Sequence, residues 1–233
     1  MKNFELRGLN VPASMLSGWT LEDMDRLRDR GDKAGCPCLV LIEDTPLKLA
    51  DKKDSVRLEA SKRIKALAVA ANRLGCNALA IQCQAPATSD GLDLTASELK
   101  IVMPSIERTE LNLLIAPSEG LTSTAEGLTD LLKRVGGFRV GSLPDFEHSA
   151  ASGDLVQSLR ALAPYAGSIH ATINDFDKKG NHKGCDLVDG IEAIRSVGFV
   201  NTIAIDFVGS GDPIKSVEQA QKILQHAIDT PRE

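Results

Sequence analysis

The chain has few aromatic residues, little net charge and no long apolar segment. Only 3% of its 233 residues are aromatic, with a single Trp and a single Tyr, so a surface that stacks on bases is not expected. The formal net charge of -5 gives no electrostatic reason for a nucleic-acid partner. No run approaches the ~20 apolar residues of a membrane span, and the first twelve residues mix acidic and basic side chains, unlike a signal peptide. We therefore expect a cytoplasmic protein with neither nucleic acid nor membrane as a partner.

Cysteine is also scarce, and its spacing excludes two common uses. The five cysteines are an odd number, and no pair of CxxC units marks a metal site. Cys36 and Cys38 are separated by one residue only, which is too short for the redox motif. We expect reduced thiols with packing roles.

What the sequence does contain is a repeated alternation of short apolar segments and amphipathic segments. The predicted strands are 4–7, 39–42, 77–83, 111–115, 138–140, 168–172 and 202–208. The predicted helices are 20–34, 51–74, 95–107, 123–135, 153–165, 187–197 and 214–228. Strands this apolar are typical of a parallel sheet covered by helices.

The alternation predicts an α/β fold in one domain, 1–233, of which the (β/α) barrel is the commonest form at this length. A closed barrel has eight units, whereas about seven are found. Either a strand lies unrecognised in 84–94, or the first βα unit is missing. An open barrel exposes two strand edges, which favours a homo-oligomer or a plug formed by the N-terminus.

Polar residues stand at the ends of the late strands. Asp145 and His148 follow one strand, while His170 and Asp206 lie in the next two. Carboxylates and imidazoles that converge at the carboxyl ends of parallel strands are typical of a divalent metal site. The alternatives are a cap role for Asp145, a core histidine at position 170 and a surface histidine at position 148. Asp206 ends a buried strand, where an unpaired carboxylate is costly.

Other polar residues are assigned to solvent or to loops. The glycine-containing segment 209–212 is either a phosphate cradle or a simple strand-to-helix connection. The side chains expected to be exposed are Glu43, Asp44, Glu119, His182 and His226.

Five segments resemble one family: LGCNALAIQC, LLIAPSEGLTSTAEGLTDLLKRV, VGSLPDFEH, SIHATINDFDKKGN and GFVNTIAIDFVGSGDP. The chain is similar, over about 27–228, to the sugar phosphate isomerases/epimerases, the xylose isomerase-like TIM barrels. The resemblance implies a TIM barrel that binds a divalent metal (Mn, Mg, Zn or Co) and a sugar or polyol. It also implies two glutamates that move a proton between adjacent carbons through an enediolate.

Residue by residue, the resemblance is partial. Asp145 and His170 match the family's aspartate and histidine. His148 is an acceptable match to the asparagine or histidine that follows the aspartate in the family. Asp206 replaces the strand-eight glutamate with a side chain one methylene shorter, and we assign it both a metal-binding and a catalytic role.

The strand-four glutamate falls on Ala116 and is absent, and Thr172 stands where many members have a lysine. Glu119, Glu147 and Asp175 are the nearby acids that could replace the missing glutamate. The loss predicts an impaired isomerase or epimerase. The alternative is a non-catalytic relative that binds a carbohydrate or a protein.

Overall fold

The computed structural model describes residues 6–230, and this range alternates strands with helices as expected. The strands are β1 (Leu9–Pro12), β2 (Cys38–Ile42), β3 (Ala78–Gln82), β4 (Asn112–Ala116), β5 (Val140–Ser142), β6 (Ser168–Ile173) and β7 (Thr202–Phe207). The helices are α1 (Leu21–Lys33), α2 (Asp54–Arg73), α3 (Ser89–Arg108), α4 (Ala125–Val135), α5 (Phe146–Ala151), α6 (Leu155–Leu162), α7 (Leu187–Arg195) and α8 (Pro213–Asp229). Between residues 6 and 230, no helix has the length and apolar character needed to cross a bilayer.

Strand pairing follows the chain order. Strands β1 to β5 form one sheet in that order, and β6 pairs with β7. The pairs β1–β2, β2–β3, β3–β4 and β6–β7 are all parallel, which requires the helical crossovers that the sequence predicts.

The chain contacts divide into two compact units. The first runs to Ser123 and includes Asp130–Gly141; the second comprises Thr124–Thr129 and all residues from Ser142 onward. All four predicted site residues belong to the second unit. That the chain forms one domain stays a prediction.

The predicted first strand and the predicted start of α3 are wrong. The first strand lies at Leu9–Pro12 rather than at 4–7, of which residues 4 and 5 fall outside the described range. Helix α3 begins at Ser89, within the segment 84–94 where a strand was considered. It continues through Pro104 to Arg108, which confirms the predicted end at residue 107 to within one residue. The described residues hold seven strands, and a missing first βα unit stays a prediction.

The core of the second unit is apolar and lies on one side of β6. Phe146, Ile169, Ala171 and Ile173 are all fully buried in it. Gly190 of α7 is required at this position because a Cβ atom there would lie 2.3 Å from the Phe146 ring. The close contact lets α7 pack directly on the residue that follows Asp145.

Glu43 contradicts its predicted exposure. It follows β2 directly, with 2% of its surface accessible, whereas Asp44 and Glu119 are exposed as expected. Arg63 donates its Nε–H to Glu43 Oε2 at 2.5 Å, and the Thr45 N–H donates to Oε1 at 3.1 Å. A buried carboxylate needs such donors, and the arginine lies 20 positions away in the sequence, where no local pattern indicates it.

We predict that Arg63→Met lowers the free energy of unfolding by about 1–3 kcal/mol, because it leaves a buried carboxylate short of a donor. The matched control is Arg134→Met. Arg134 is as exposed as Arg63 (51% against 49%), but its partner Asp93 is 53% exposed, so we expect a loss below about 1 kcal/mol. Urea unfolding of both variants measures the difference, and equal losses would contradict it.

Candidate functional site

Asp145 is fixed in place by the start of α5. Its Oδ1 accepts the backbone N–H of His148 at 2.8 Å, which makes Asp145 the N-cap of this short helix. The next residue, Phe146, is fully buried. The cap role, weighed in the sequence as the alternative to metal binding, is therefore confirmed.

The neighbouring strand β6 divides its side chains between two faces. Ile169, Ala171 and Ile173 enter the core, so the alternation of a strand places His170 and Thr172 on the opposite face. In the parallel register, Thr172 is paired with Asp206 of β7. Paired residues share a face of the sheet, so His170, Thr172 and Asp206 all lie on this polar face.

Asp145 is joined to the polar face by Thr172. The Thr172 hydroxyl donates to Asp145 Oδ2 at 2.5 Å, and the Thr172 backbone N–H donates to the same oxygen at 3.2 Å. Backbone pairing supports this contact: the His170 N–H donates to Pro144 O at 2.8 Å. Both carboxylate oxygens of Asp145 thus accept hydrogen bonds from the chain itself.

His170 is half-buried, and its environment has opposing effects on its charge. Burial lowers the pKa of its imidazole, while the nearby carboxylates of Asp145 and Asp206 act in the opposite direction and offset part of that shift. The lowered pKa favours a neutral ring, which has one donor and one acceptor nitrogen.

The structure therefore brings together three of the four predicted site residues: Asp145, His170 and Asp206. The fourth, His148, contacts Asp145 through its backbone N–H. Sequence reasoning missed the contribution of Thr172. Its position two residues after His170, on the same face of a strand, was the available signal.

The fit to a divalent metal is poor as the side chains stand. Within residues 6–230, no group of three or more His, Cys, Asp or Glu side chains is arranged to hold a metal ion. Asp145 is already committed to three donors of the chain, and Asp206 is exposed. The assignment of Asp145, His148, His170 and Asp206 as ligands stays a prediction.

The loop after β6 is held by its own polar side chains. Asn174 donates its side-chain N–H to Glu147 Oε1 at 2.6 Å, and its backbone N–H donates to His182 Nε2 at 2.9 Å. The His182 ring also meets the edge of Phe176, with centroids 5.6 Å apart. His182 is therefore half-buried rather than exposed, contrary to the prediction, whereas His226 is exposed as expected.

The glycine-containing loop 209–212, which was considered as a phosphate cradle, binds the side chain of Asp175. The Ser210 and Gly211 N–H groups donate to Asp175 Oδ1 at 3.0 and 2.9 Å, and the Ser210 hydroxyl donates to Oδ2 at 2.8 Å. These bonds, with the Ser210 hydroxyl first, lower the pKa of Asp175. The amides expected to hold a phosphate instead hold a carboxylate of the same chain.

The cysteines take no part in this chemistry. All five are free, and the one in the second unit, Cys185, lies in the loop after β6. Burial raises its pKa to about 12, and the charges of Asp145 and Glu147 act in the same direction. A thiol with this pKa is protonated at neutral pH and is a poor nucleophile.

Comparison with known proteins identifies the fold. The family model for the xylose isomerase-like TIM barrel matches residues 3–227, whereas no curated protein matches the chain. An L-ribulose 3-epimerase structure has a TM-score of 0.85 at 15% identity, covering 98% of this chain and 86% of the epimerase. These findings confirm the predicted fold class.

Two further structures have the same fold. A D-psicose 3-epimerase in the presence of D-fructose has a TM-score of 0.77 at 13% identity, covering 97% of this chain and 88% of that one. An IOLI protein with a bound zinc atom has a TM-score of 0.72 at 15% identity, covering 95% and 86%. At these identities the likeness concerns the fold alone.

We predict that His170 makes stability depend on pH. Because its pKa is lowered in the fold, the unfolded chain takes up a proton that the folded chain does not, once the pH falls below the ordinary value of 6.5. The free energy of unfolding should then decrease as the pH falls from about 6.5 toward the folded pKa. His170→Gln should flatten this slope, and His226→Gln should leave it unchanged. Equal slopes for His170→Gln and the parent in urea unfolding would contradict the prediction.

We also predict that Asp175→Ala exposes the backbone of the loop it occupies. The N–H groups of Ser210 and Gly211 lose their acceptor, so their hydrogen exchange should be about threefold faster or more. Asp177→Ala is the control, because Asp177 accepts from Lys179 and Asn181 in its own turn. Unchanged exchange at residues 210 and 211 in Asp175→Ala would be the contrary result.

Proposed function

Because this chain belongs to the xylose isomerase-like TIM barrel family, we propose that it is a sugar isomerase/epimerase-like protein in which the family's metal-dependent reaction is impaired. Its proposed ligand is a sugar or polyol, bound at the carboxyl ends of β5, β6 and β7. A cytoplasmic location and a homo-oligomer stay predictions.

The observation that carries the proposal is the polar face formed by His170, Thr172 and Asp206 beside the capped Asp145. A sugar presents adjacent hydroxyl groups that both donate and accept hydrogen bonds. A neutral imidazole can do both as well, and the exposed Asp206 carboxylate accepts only. This set of groups suits a neutral polyhydroxylated ligand.

Impairment follows from what the family's reaction requires. Ala116, at the end of β4, has a methyl group where the family has a glutamate, and a methyl group neither binds a metal nor transfers a proton. General acid–base catalysis contributes typically ~10²–10⁴-fold, so losing one of two proton carriers costs about that much. Asp206 would be the remaining carrier, with a carboxylate displaced by one methylene relative to glutamate.

Two of the three replacement acids considered from the sequence are bonded to other groups of the chain. Glu147 accepts from Asn174, and Asp175 accepts from the loop that contains Ser210. Glu119 is exposed in the first unit. These placements favour a second candidate function, a carbohydrate-binding relative without turnover.

The test measures binding and proton exchange separately. D-Fructose and L-ribulose are incubated with the full chain and Mn²⁺ in D₂O; binding is followed by ligand-observed NMR, and exchange by deuterium uptake at the carbons beside the carbonyl. We expect binding of at least one sugar, with exchange at least about 10²-fold slower than in an intact epimerase measured alongside.

Variants locate the binding groups. Asp206→Asn should weaken sugar binding about tenfold to hundredfold, since hydrogen bonds to a charged group are worth about 1.5–3 kcal/mol. Asp229→Asn, at the exposed end of α8, is the matched control and should have no effect. Sugar binding that Asp206→Asn leaves intact would place the ligand elsewhere, and exchange at the rate of the intact epimerase would refute the impairment.

A further inference from the structure

Thr172 gives Asp145 an unusual pair of contacts. Its hydroxyl and its backbone N–H both donate to Oδ2 of the same carboxylate, at 2.5 and 3.2 Å. The other oxygen, Oδ1, accepts from the His148 N–H at 2.8 Å. A carboxylate has about four acceptor positions, and donors of this chain fill three of them.

We propose that Thr172 withholds Asp145 from divalent cations, so that it acts as a positioning residue that weakens metal binding at this end of the fold. The proposal rests on the proposed function only in locating the ligand site at β5 to β7. Two donor hydrogens point at Oδ2, and a cation approaching that oxygen would meet their positive charge. The carboxylate charge is already stabilised by three hydrogen bonds, which reduces its strength as a metal ligand.

The rest of the site does not restore that strength. Asp206 is an exposed carboxylate, and it is paired in register with Thr172 itself. Among the described residues, no set of three acidic, cysteine or histidine side chains forms a metal-holding group. A cation arriving here would have to compete with Thr172 for Asp145.

A hydrogen bond from Thr172 could also have the opposite effect and strengthen metal binding, which makes the proposal testable. A hydrogen bond to a ligating carboxylate often orients it, and removing such a partner typically weakens metal affinity by about 10–100-fold. If Thr172 withholds Asp145 from the metal, removing the hydroxyl should raise the metal affinity. If Thr172 orients Asp145 for the metal, removing the hydroxyl should lower that affinity. The two effects differ in sign.

Thr172→Val is the suitable variant because valine keeps the branched shape of threonine and favours a strand, but lacks the hydroxyl. Mn²⁺ is titrated into the full chain, and the free ion is followed by electron paramagnetic resonance. We expect Thr172→Val to bind Mn²⁺ about tenfold more tightly than the parent chain, by analogy in magnitude with other partners of ligating groups. Thr172→Ser, which retains the hydroxyl, should behave as the parent does.

Two controls separate this effect from a general change in the strand. Thr202→Val removes a hydroxyl of β7 whose partner is Ser168, and should leave Mn²⁺ binding unchanged. Asp145→Asn combined with Thr172→Val should abolish the gain. The proposal is overturned if Thr172→Val binds Mn²⁺ no better than the parent, or if the gain survives in the double variant.

The result is independent of sugar binding. If Thr172→Val gains Mn²⁺ affinity while neither D-fructose nor L-ribulose binds, the inference about Thr172 holds and the proposed function fails. If sugars bind and the Mn²⁺ gain is absent, the proposed function stands without it.

Discussion

The Asp145 carboxylate is the interaction on which the arrangement of this site depends. One oxygen holds the first turn of α5, and the other holds Thr172 of β6. A single side chain therefore fixes the start of a helix and its position relative to the next strand. The apolar contact between Phe146 and Gly190 keeps α7 against the same junction. Because Asp145 holds both elements in this way, a change of this side chain would also alter the packing of α5 on β6.

The polar groups around Asp145 are also used in hydrogen bonds within the chain. Glu147 is satisfied by Asn174, and His182 by the backbone of Asn174. A family active site needs carboxylates and imidazoles that are available to a metal or a substrate. In this chain Glu147 and His182 are both bonded to Asn174, which ties together the loop after β6 and the first turn of α5. Glu147 and Asp175 are thus used in hydrogen bonds within the second unit.

Much of the architecture could be predicted because it depends on local patterns. The apolar runs placed β2, β4, β6 and β7 to within a residue or two, and a local capping box of Thr20 and Asp23 starts α1. Pro104 does not interrupt α3, because tertiary packing of the helix outweighs one lost helical hydrogen bond. The site was predicted as a set of strand-end residues. The hydrogen bond from Thr172 to Asp145, which spans 27 positions in the sequence, required the register of the strands, and no local pattern provides that.

The placement of Asp175 has a consequence for the kind of sugar that the proposed site would bind. The Ser210 and Gly211 amides are held by a carboxylate tethered to the same chain, which acts as a competitor at high effective concentration. A phosphorylated sugar would have to displace that internal anion before it gained anything from the two amides. For the proposed sugar ligand, this internal carboxylate favours an unphosphorylated sugar over a phosphorylated one.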